Sequence, residues 1–420
     1  MKPQKLLHNI AALGSVQVAN LLLPLITLPY VTRVLGVEAW GKVAFAQVIL
    51  SYFALITNWG FIWSATRKVA AIRDDLPQLS AVFMATWVAQ WGLALATSAV
   101  LLLLIAFVPF FQNDAILYLY GIALVISGVL FPAWFLNGLE CMKAVAAIQI
   151  AARVAVVPCI FLFIHDPGDA PLIIAFAAAS GLLSGALTIF WIRKNIALHW
   201  QRPTGFAIWQ ELKEGSALFG STLWVGLYST FTPIILGVIA GPIAVGYYAL
   251  ADRARQAAQS ALGPVSQAMF PRMSNLFAHD PHQAKRLFNQ TGWGIAGLAG
   301  LVSLGLWLGA DPIVHLLAGQ NFAPASGVLR WLAPLPFVIA LSNLFGVQVM
   351  LPNHKNKAFN LILGVAGALS LVIIFPLILW KGAEGAAINT FLIECFVTIA
   401  MGSYLLKQGF FSLNEKWTKA

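Results

Sequence analysis

The sequence predicts an all-α polytopic membrane protein with about twelve transmembrane helices in two parallel six-helix lobes, both termini cytoplasmic. Three observations predict the class. Of the 420 residues 60% are hydrophobic and 10% charged, and the mean hydropathy of +0.82 lies outside the range of soluble domains. Apolar runs recur at the length of about 20 residues that crosses a bilayer. The 15 Trp, 34 Gly and 21 Pro fit as well, because Trp collects at membrane interfaces while Gly and Pro are commoner in membrane helices than in soluble ones. A transmembrane barrel is a poor fit, since a run such as 94–111 is apolar all round and lacks the alternation of a barrel strand.

In order, the spans read as 9–33, 42–66, 80–108, 115–138, 146–165, 171–192, 216–240, 246–271, 287–310, 326–351, 358–380 and 384–406. Lys2 and Lys5 before the first run resemble the start of a signal peptide, but 10–35 is too long and no small-x-small cleavage site ends it. The first helix is therefore expected to be retained. Connections are short except between the sixth and seventh spans, where Arg193, Lys194, Trp200, Arg202, Trp209 and Lys213 surround an amphipathic pattern at 206–212 suited to the membrane surface. The expected organisation is a first lobe over 1–193, a cytoplasmic linker over 194–215, a second lobe over 216–406 and a cytoplasmic tail over 407–420.

Alternate loops differ in Lys and Arg. One side collects eighteen of the 25, among them Arg67, Arg193, Arg272 and Lys407, and the other only Arg33, Lys42, Arg330 and Lys381. The basic side is expected to be cytoplasmic. The net charge of +10 then marks the inner face and not nucleic-acid binding. Cys141, Cys159 and Cys395 are far apart with no Cys or His at ligand spacing, so free thiols, no metal and no cofactor are expected.

The eighth span is unusual in carrying Asp252, Arg253 and Arg255. It must nevertheless cross, because otherwise the basic loops 193–213 and 272–286 would face opposite sides. An internal repeat supports the same conclusion. LGVEAWGKVAFAQ (35–47) and AGPIAVGYYALAD (240–252) match without gaps at Gly36/Gly241, Ala39/Ala244, Gly41/Gly246, Ala44/Ala249 and Ala46/Ala251, and the offset continues to Arg67/Arg272 and Asp75/Asp280. Two parallel halves, with the second and eighth spans as counterparts, follow as an expectation.

The run NIAALGSVQVANLLLPLITLPYVTRVLGVEAWGKVAFAQ from Asn9, with GFIWSATRKVAAIRDD from Gly60, resembles the bacterial O-antigen and exopolysaccharide flippases of the multidrug/oligosaccharidyl-lipid/polysaccharide exporter superfamily. The resemblance extends over the whole length and implies a carrier with a cationic cavity between its lobes. Its cargo would be an undecaprenyl-pyrophosphate-linked oligosaccharide, moved from the cytoplasmic to the periplasmic leaflet of the inner membrane. Membrane lipids, a proton or sodium gradient and a polysaccharide polymerase are the further partners it implies; nucleic acid is not one.

Such a cargo needs cations at mid-depth, for which Arg suits phosphate by its fixed fork of donors. Arg153, Arg253 and Arg255 lie inside spans, with Arg33 and Arg330 near the outer ends. On a helix Asp252, Arg255, Gln259 and Ser266 share one stripe flanked by Arg253, Gln256, Ser260 and Gln267, which suits a cavity wall. The alternative is a local pair of Asp252 with Arg255 or Arg253; for Arg153 it is snorkelling, and for Arg33 and Arg330 a helix-end anchor. Asn58, Gln256 and Gln259 are candidates for glycan contacts, although amides in spans more often join helices. Asp252 and Glu394 are the candidates for ion coupling. Gly181/Gly185 and Gly305/Gly309 read as close-packing sites.

A multidrug antiporter of the same superfamily is the nearest rival reading. It should present acids in its cavity, whereas this sequence offers three intramembrane Arg against two acids. A membrane-embedded glycan-processing enzyme is less compatible, because the outward loops are short and His165, His315 and Asp311 form no nucleophile or metal constellation.

Overall fold

The computed structural model describes residues 3–260 and 262–410, and their side chains apart from 3–25, 217–218, 221–230, 264–268, 270–271, 278 and 281. Among the described residues every regular element is helical. Two compact units divide between Trp224 and Val225.

The first unit contains α1 (Pro3–Asn58), α2 (Phe61–Ala71), α3 (Leu76–Phe107), the short α4 (Pro109–Gln112), α5 (Ala115–Leu130), α6 (Ala133–Gly138), α7 (Met142–Phe163), α8 (Ala170–Asn195) and most of α9 (Gly205–Thr230). Local sequence sets the boundaries. Asp75 caps α3 by accepting from the Gln78 amide at 3.1 Å, with a proline in the first turn. Pro132 separates α5 from α6. Trp59 and Gly60, at φ 44° and 75°, break the path from α1 to α2. The core gathers Phe61, Phe83, Trp134, Phe135 and Ile192, and Ile208 and Leu212 of α9 pack against it.

Within this unit α5 and α8 approach closely through glycine. A Cβ on Gly181 would stand 2.2 Å from Ser127 Oγ, and one on Gly185 2.4 Å from Leu130 Cβ, so the expected close-packing pair is present. The Gly305/Gly309 pair differs from expectation. Gly305 faces open space, and Gly309 ends its helix as the C-cap residue, so composition alone did not distinguish a packing glycine from a terminating one.

The second unit contains α10 (Thr232–Ser260), α11 (Gly263–His279), α12 (Pro281–Leu308), α13 (Ala310–Ala318), α14 (Ala325–Leu332), α15 (Leu335–Phe345) and α16 (Asn356–Lys407). The interval expected as one span over 246–271 is interrupted: α10 ends at Ser260 and α11 starts at Gly263 with proline in its first turn. A proline there has no amide to donate to the preceding helix, and its fixed φ suits the first turn of a new one. The core joins Met273, Phe288, Leu344, Ile393, Val397 and Met401.

Nine stretches of the described residues are long and apolar enough to cross a membrane, against twelve expected. Two of the nine, Ile26–Ala71 and Asn356–Lys407, run to 46 and 52 residues, more than twice a span of about 20, and each turns at a glycine. Gly36 turns α1 at φ 71°, ψ −178°, and Gly382 turns α16 at φ 54°, ψ −122°. Gly241 turns α10 at φ 79°, ψ 179°, nearly the conformation of Gly36. The two glycines matched in the sequence repeat therefore share one backbone geometry. Asp280 extends the correspondence, capping α12 from the Gln283 amide at 2.9 Å as Asp75 caps α3.

Large apolar side chains cover the surface: Phe107, Phe190, Trp293, Leu301, Val372 and Leu379 are each more than 60% exposed. Apolar surface on this scale needs lipid as its solvent. The chain is a multi-pass membrane protein.

Candidate functional site

In the second unit a cavity of about 220 Å³ opens among α10, α15 and α16. It accommodates several waters at about 30 Å³ each. From α10 come Thr232, Arg255 and Gln259; from α16 come Ser370 before the Gly382 turn and Asn389, Thr390 and Glu394 after it; Leu335 and Ile339 of α15 close one side. A polar pocket inside an otherwise apolar unit is costly unless its groups are satisfied.

Of the stripe read from sequence, Asp252, Arg255 and Gln259 come together on α10, whereas Ser266 lies beyond the end of that helix. Arg255 Nε donates to Asp252 Oδ1 at 2.7 Å, its Nη2 meets the same oxygen at 2.7 Å, and its Nη1 donates to Gln259 Oε1. Gln256 Nε2 donates to Asp252 Oδ2 at 2.7 Å, so the carboxylate is held on both oxygens. The spacings of three and four residues bring these side chains together along one face. Arg255 thus both forms the local pair and lines the cavity. Its charge is balanced by Asp252, which stands outside the lining, and Glu394 brings a carboxylate into the lining itself.

Across the cavity Asn389 Nδ2 donates to Ser370 Oγ at 2.9 Å, tying the two halves of α16. Asn389 is 1% exposed, and its Oδ1 has no hydrogen-bond partner among the described residues. Tyr248, buried on α10, places its hydroxyl 3.2 Å from Thr390 Oγ1. Asn389, Ser370 and Tyr248 were not singled out in the sequence. The available signal was Asn389-Thr390 followed by Glu394 inside an apolar run, but their link to Ser370 depends on the turn between them.

The remaining candidates lie elsewhere. Arg253 is half-buried on α10 and does not line this cavity. Arg153 is half-buried on α7 and Arg33 exposed on α1, both in the first unit. Arg330 is exposed at the end of α14, paired with Asp311 of α13. Asn58 is exposed and donates to the Ala54 carbonyl of its own helix at 2.9 Å. Gln256 is exposed. Ser266 and Gln267 fall outside the described side chains.

The first unit has its own cavity, of about 550 Å³, lined by the Gly36 turn, Asp114 and the segment around Pro167 and Pro171. Lys42 stands there 3.2 Å from Asp114 and 3.6 Å from Glu38. Among the described residues no group of three His, Cys, Asp or Glu side chains has metal-binding geometry.

Residues 6–277 match the protein family described as "Polysaccharide biosynthesis protein". Two curated relatives carry the name "Putative O-antigen transporter". One, from Escherichia coli (strain K12), is 33% identical over 401 residues, 94% of this chain and 95% of that protein. The other, from Shigella dysenteriae, is 29% identical over 404 residues, 94% and 98%. Among solved structures, an inward-facing multidrug resistance MATE family transporter of the MOP superfamily superposes with a TM-score of 0.72 at 13% identity, over 92% of this chain and 93% of that one. The lipid II flippase MurJ, in an inward closed conformation, superposes with a TM-score of 0.65 at 13% identity, over 95% and 87%. At such identities these likenesses establish the fold.

Proposed function

The chain belongs to the polysaccharide biosynthesis protein family, and on that premise we propose that it is a flippase for lipid-linked oligosaccharide repeat units in O-antigen or exopolysaccharide synthesis. The observation that carries this reading is the 33% identity to an O-antigen transporter over 94% of the chain. The cargo is an undecaprenyl-pyrophosphate-linked glycan, carried by alternating access from the cytoplasmic to the periplasmic leaflet of the bacterial inner membrane. Both termini are cytoplasmic, on the side that collects most Lys and Arg. The relatives and solved neighbours named above are transporters and flippases, not enzymes.

The chemistry available suits this cargo. A pyrophosphate head group needs guanidinium partners, supplied by Arg153, Arg253 and Arg255 in the spans and by Arg33 and Arg330 nearer their outer ends. Asn58, Gln256 and Gln259 offer amides to sugar hydroxyls. Asp252 and Glu394 are the groups through which a proton or sodium gradient would act, and a polysaccharide polymerase is the downstream partner. A multidrug carrier is the competing class; its support is likeness of fold alone.

Complementation tests the reading. In a strain lacking its O-antigen flippase, the wild-type chain should restore surface glycan, whereas Arg255→Ala and Arg153→Ala should abolish display at normal protein levels. No restoration by the wild-type chain in strains of several glycan types would overturn the assignment, and normal display by both variants would remove the arginines from it.

A further inference from the structure

The one fully buried acidic side chain among the described residues lies outside the two cavities described above. Glu211, on the first half of α9, is 5% exposed. One of its oxygens accepts from Lys68 Nζ of α2 at 2.7 Å and the other from Thr86 Oγ1 of α3 at 3.3 Å. Lys68 also reaches Glu214, one helical turn further along, at 3.0 Å. The indole of Trp59, at the α1–α2 break, donates to the Leu212 carbonyl at 2.8 Å and stacks on Phe219 at 4.4 Å. Gly215 completes the contact: a Cβ there would stand 2.5 Å from the Trp59 carbonyl oxygen.

A buried ion pair adds little net stability over an apolar contact, and its best-attested use is to fix register and pairing. This pair fixes a particular register. It fastens α9 at a point where the preceding backbone leaves helical geometry, Trp59 and Gly60 both having positive φ. The same helix continues without a break past Trp224, into the second unit.

We propose that Glu211 is a positioning residue that joins the first half of α9 to α2, so that α2 and the start of the chain's passage into the second unit move as one piece. Lys68 is its charge partner, Thr86 its second donor, and Trp59 and Gly215 provide the close fit. The consequence for transport rests on the flippase reading above; the joint itself does not.

The test uses the full chain in nanodiscs and in a flippase-deficient strain, with Glu211→Gln, Glu211→Lys, Lys68→Glu and the exchanged pair Lys68→Glu/Glu211→Lys. Hydrogen exchange of 61–71 and 205–215 reads the joint, and surface glycan at matched protein level reads transport. Glu211→Lys should raise exchange in both segments together and lower display at least tenfold, with Glu211→Gln intermediate and the exchanged pair recovering both readouts toward wild type. If Glu211→Lys does not accumulate, Glu211→Gln carries the test. Faster exchange in 205–215 alone, or wild-type behaviour of Glu211→Gln with no recovery by the exchanged pair, would overturn the joint. If the wild-type chain fails to restore display, the flippase reading falls, and the exchange data still decide the joint.

Discussion

Asp75 and Asp280 stand 205 positions apart and make the same bond, each accepting from the amide three residues later at the start of α3 and α12. Together with the shared conformation of Gly36 and Gly241, this carries the repeat from sequence similarity into backbone chemistry. Replacing either aspartate by alanine should cost about 1 kcal/mol, and asparagine should retain most of the cap. Thermal unfolding in detergent would check both, and equal losses are expected because both caps are exposed.

The glycine turns make a sharper prediction. At Gly36 and Gly241 a Cβ meets nothing within 4 Å, so the cost of alanine is conformational, about 1 to 3 kcal/mol for a positive φ combined with ψ near 180°, a region essentially confined to glycine. Asparagine should fare no better than alanine at either, because its tolerance of positive φ is confined to ψ near about +45° and both glycines have ψ near 180°. Gly385 is the opposite case, because its Cβ would stand 1.9 Å from the Leu377 carbonyl oxygen across the Gly382 turn. Gly385→Ala should disturb the pairing of the two halves of α16 and lower the yield of folded protein well below that of Gly36→Ala.

Arg255 and Asp252 should be energetically coupled. Their side chains are 12% and 22% exposed, and removing either deprives the other of its direct ion-pair partner. A double-mutant cycle of Arg255→Ala and Asp252→Ala, followed by thermal unfolding, should give an interaction energy of about 1 to 3 kcal/mol. Additive losses would show the pair to be independent.

Cys141, between α6 and α7, titrates above the ordinary thiol range. Partial burial disfavours its thiolate first, and the neighbouring Glu140 carboxylate adds to the effect. Because the thiolate is the reactive form, maleimide labelling of a variant retaining Cys141 alone should be slow at neutral pH and rise roughly tenfold per pH unit into the alkaline range. A rate already at its plateau near pH 8 would contradict this.

Much of the architecture was readable from local features. Apolar runs of span length, the paired glycines and the Asp252–Arg255–Gln259 spacing each report on residues close in sequence, where helical periodicity fixes who meets whom. The cavity wall opposite Arg255 was not readable, since Ser370 and Asn389 meet only after the chain reverses at Gly382. Glu211 was hidden for a related reason. In Gln210-Glu211-Leu212-Lys213-Glu214 the charges suggest a solvated stripe, and only Lys68 and Thr86, more than a hundred residues earlier, turn that stripe toward the protein. Gln210 and Lys213 stay exposed, and so do the large apolar side chains of Phe206 and Trp209.

The turn at Gly382 also constrains how the protein is made. α16 leaves the ribosome as 52 residues with almost no polar interval, and Lys381 and Glu384, 3.6 Å apart, are the charges at its reversal. A translocation machinery that treated the first half alone would have no loop on which to pause before the second. The two halves should therefore enter the bilayer together as a hairpin, and lengthening the turn should allow them to enter one at a time.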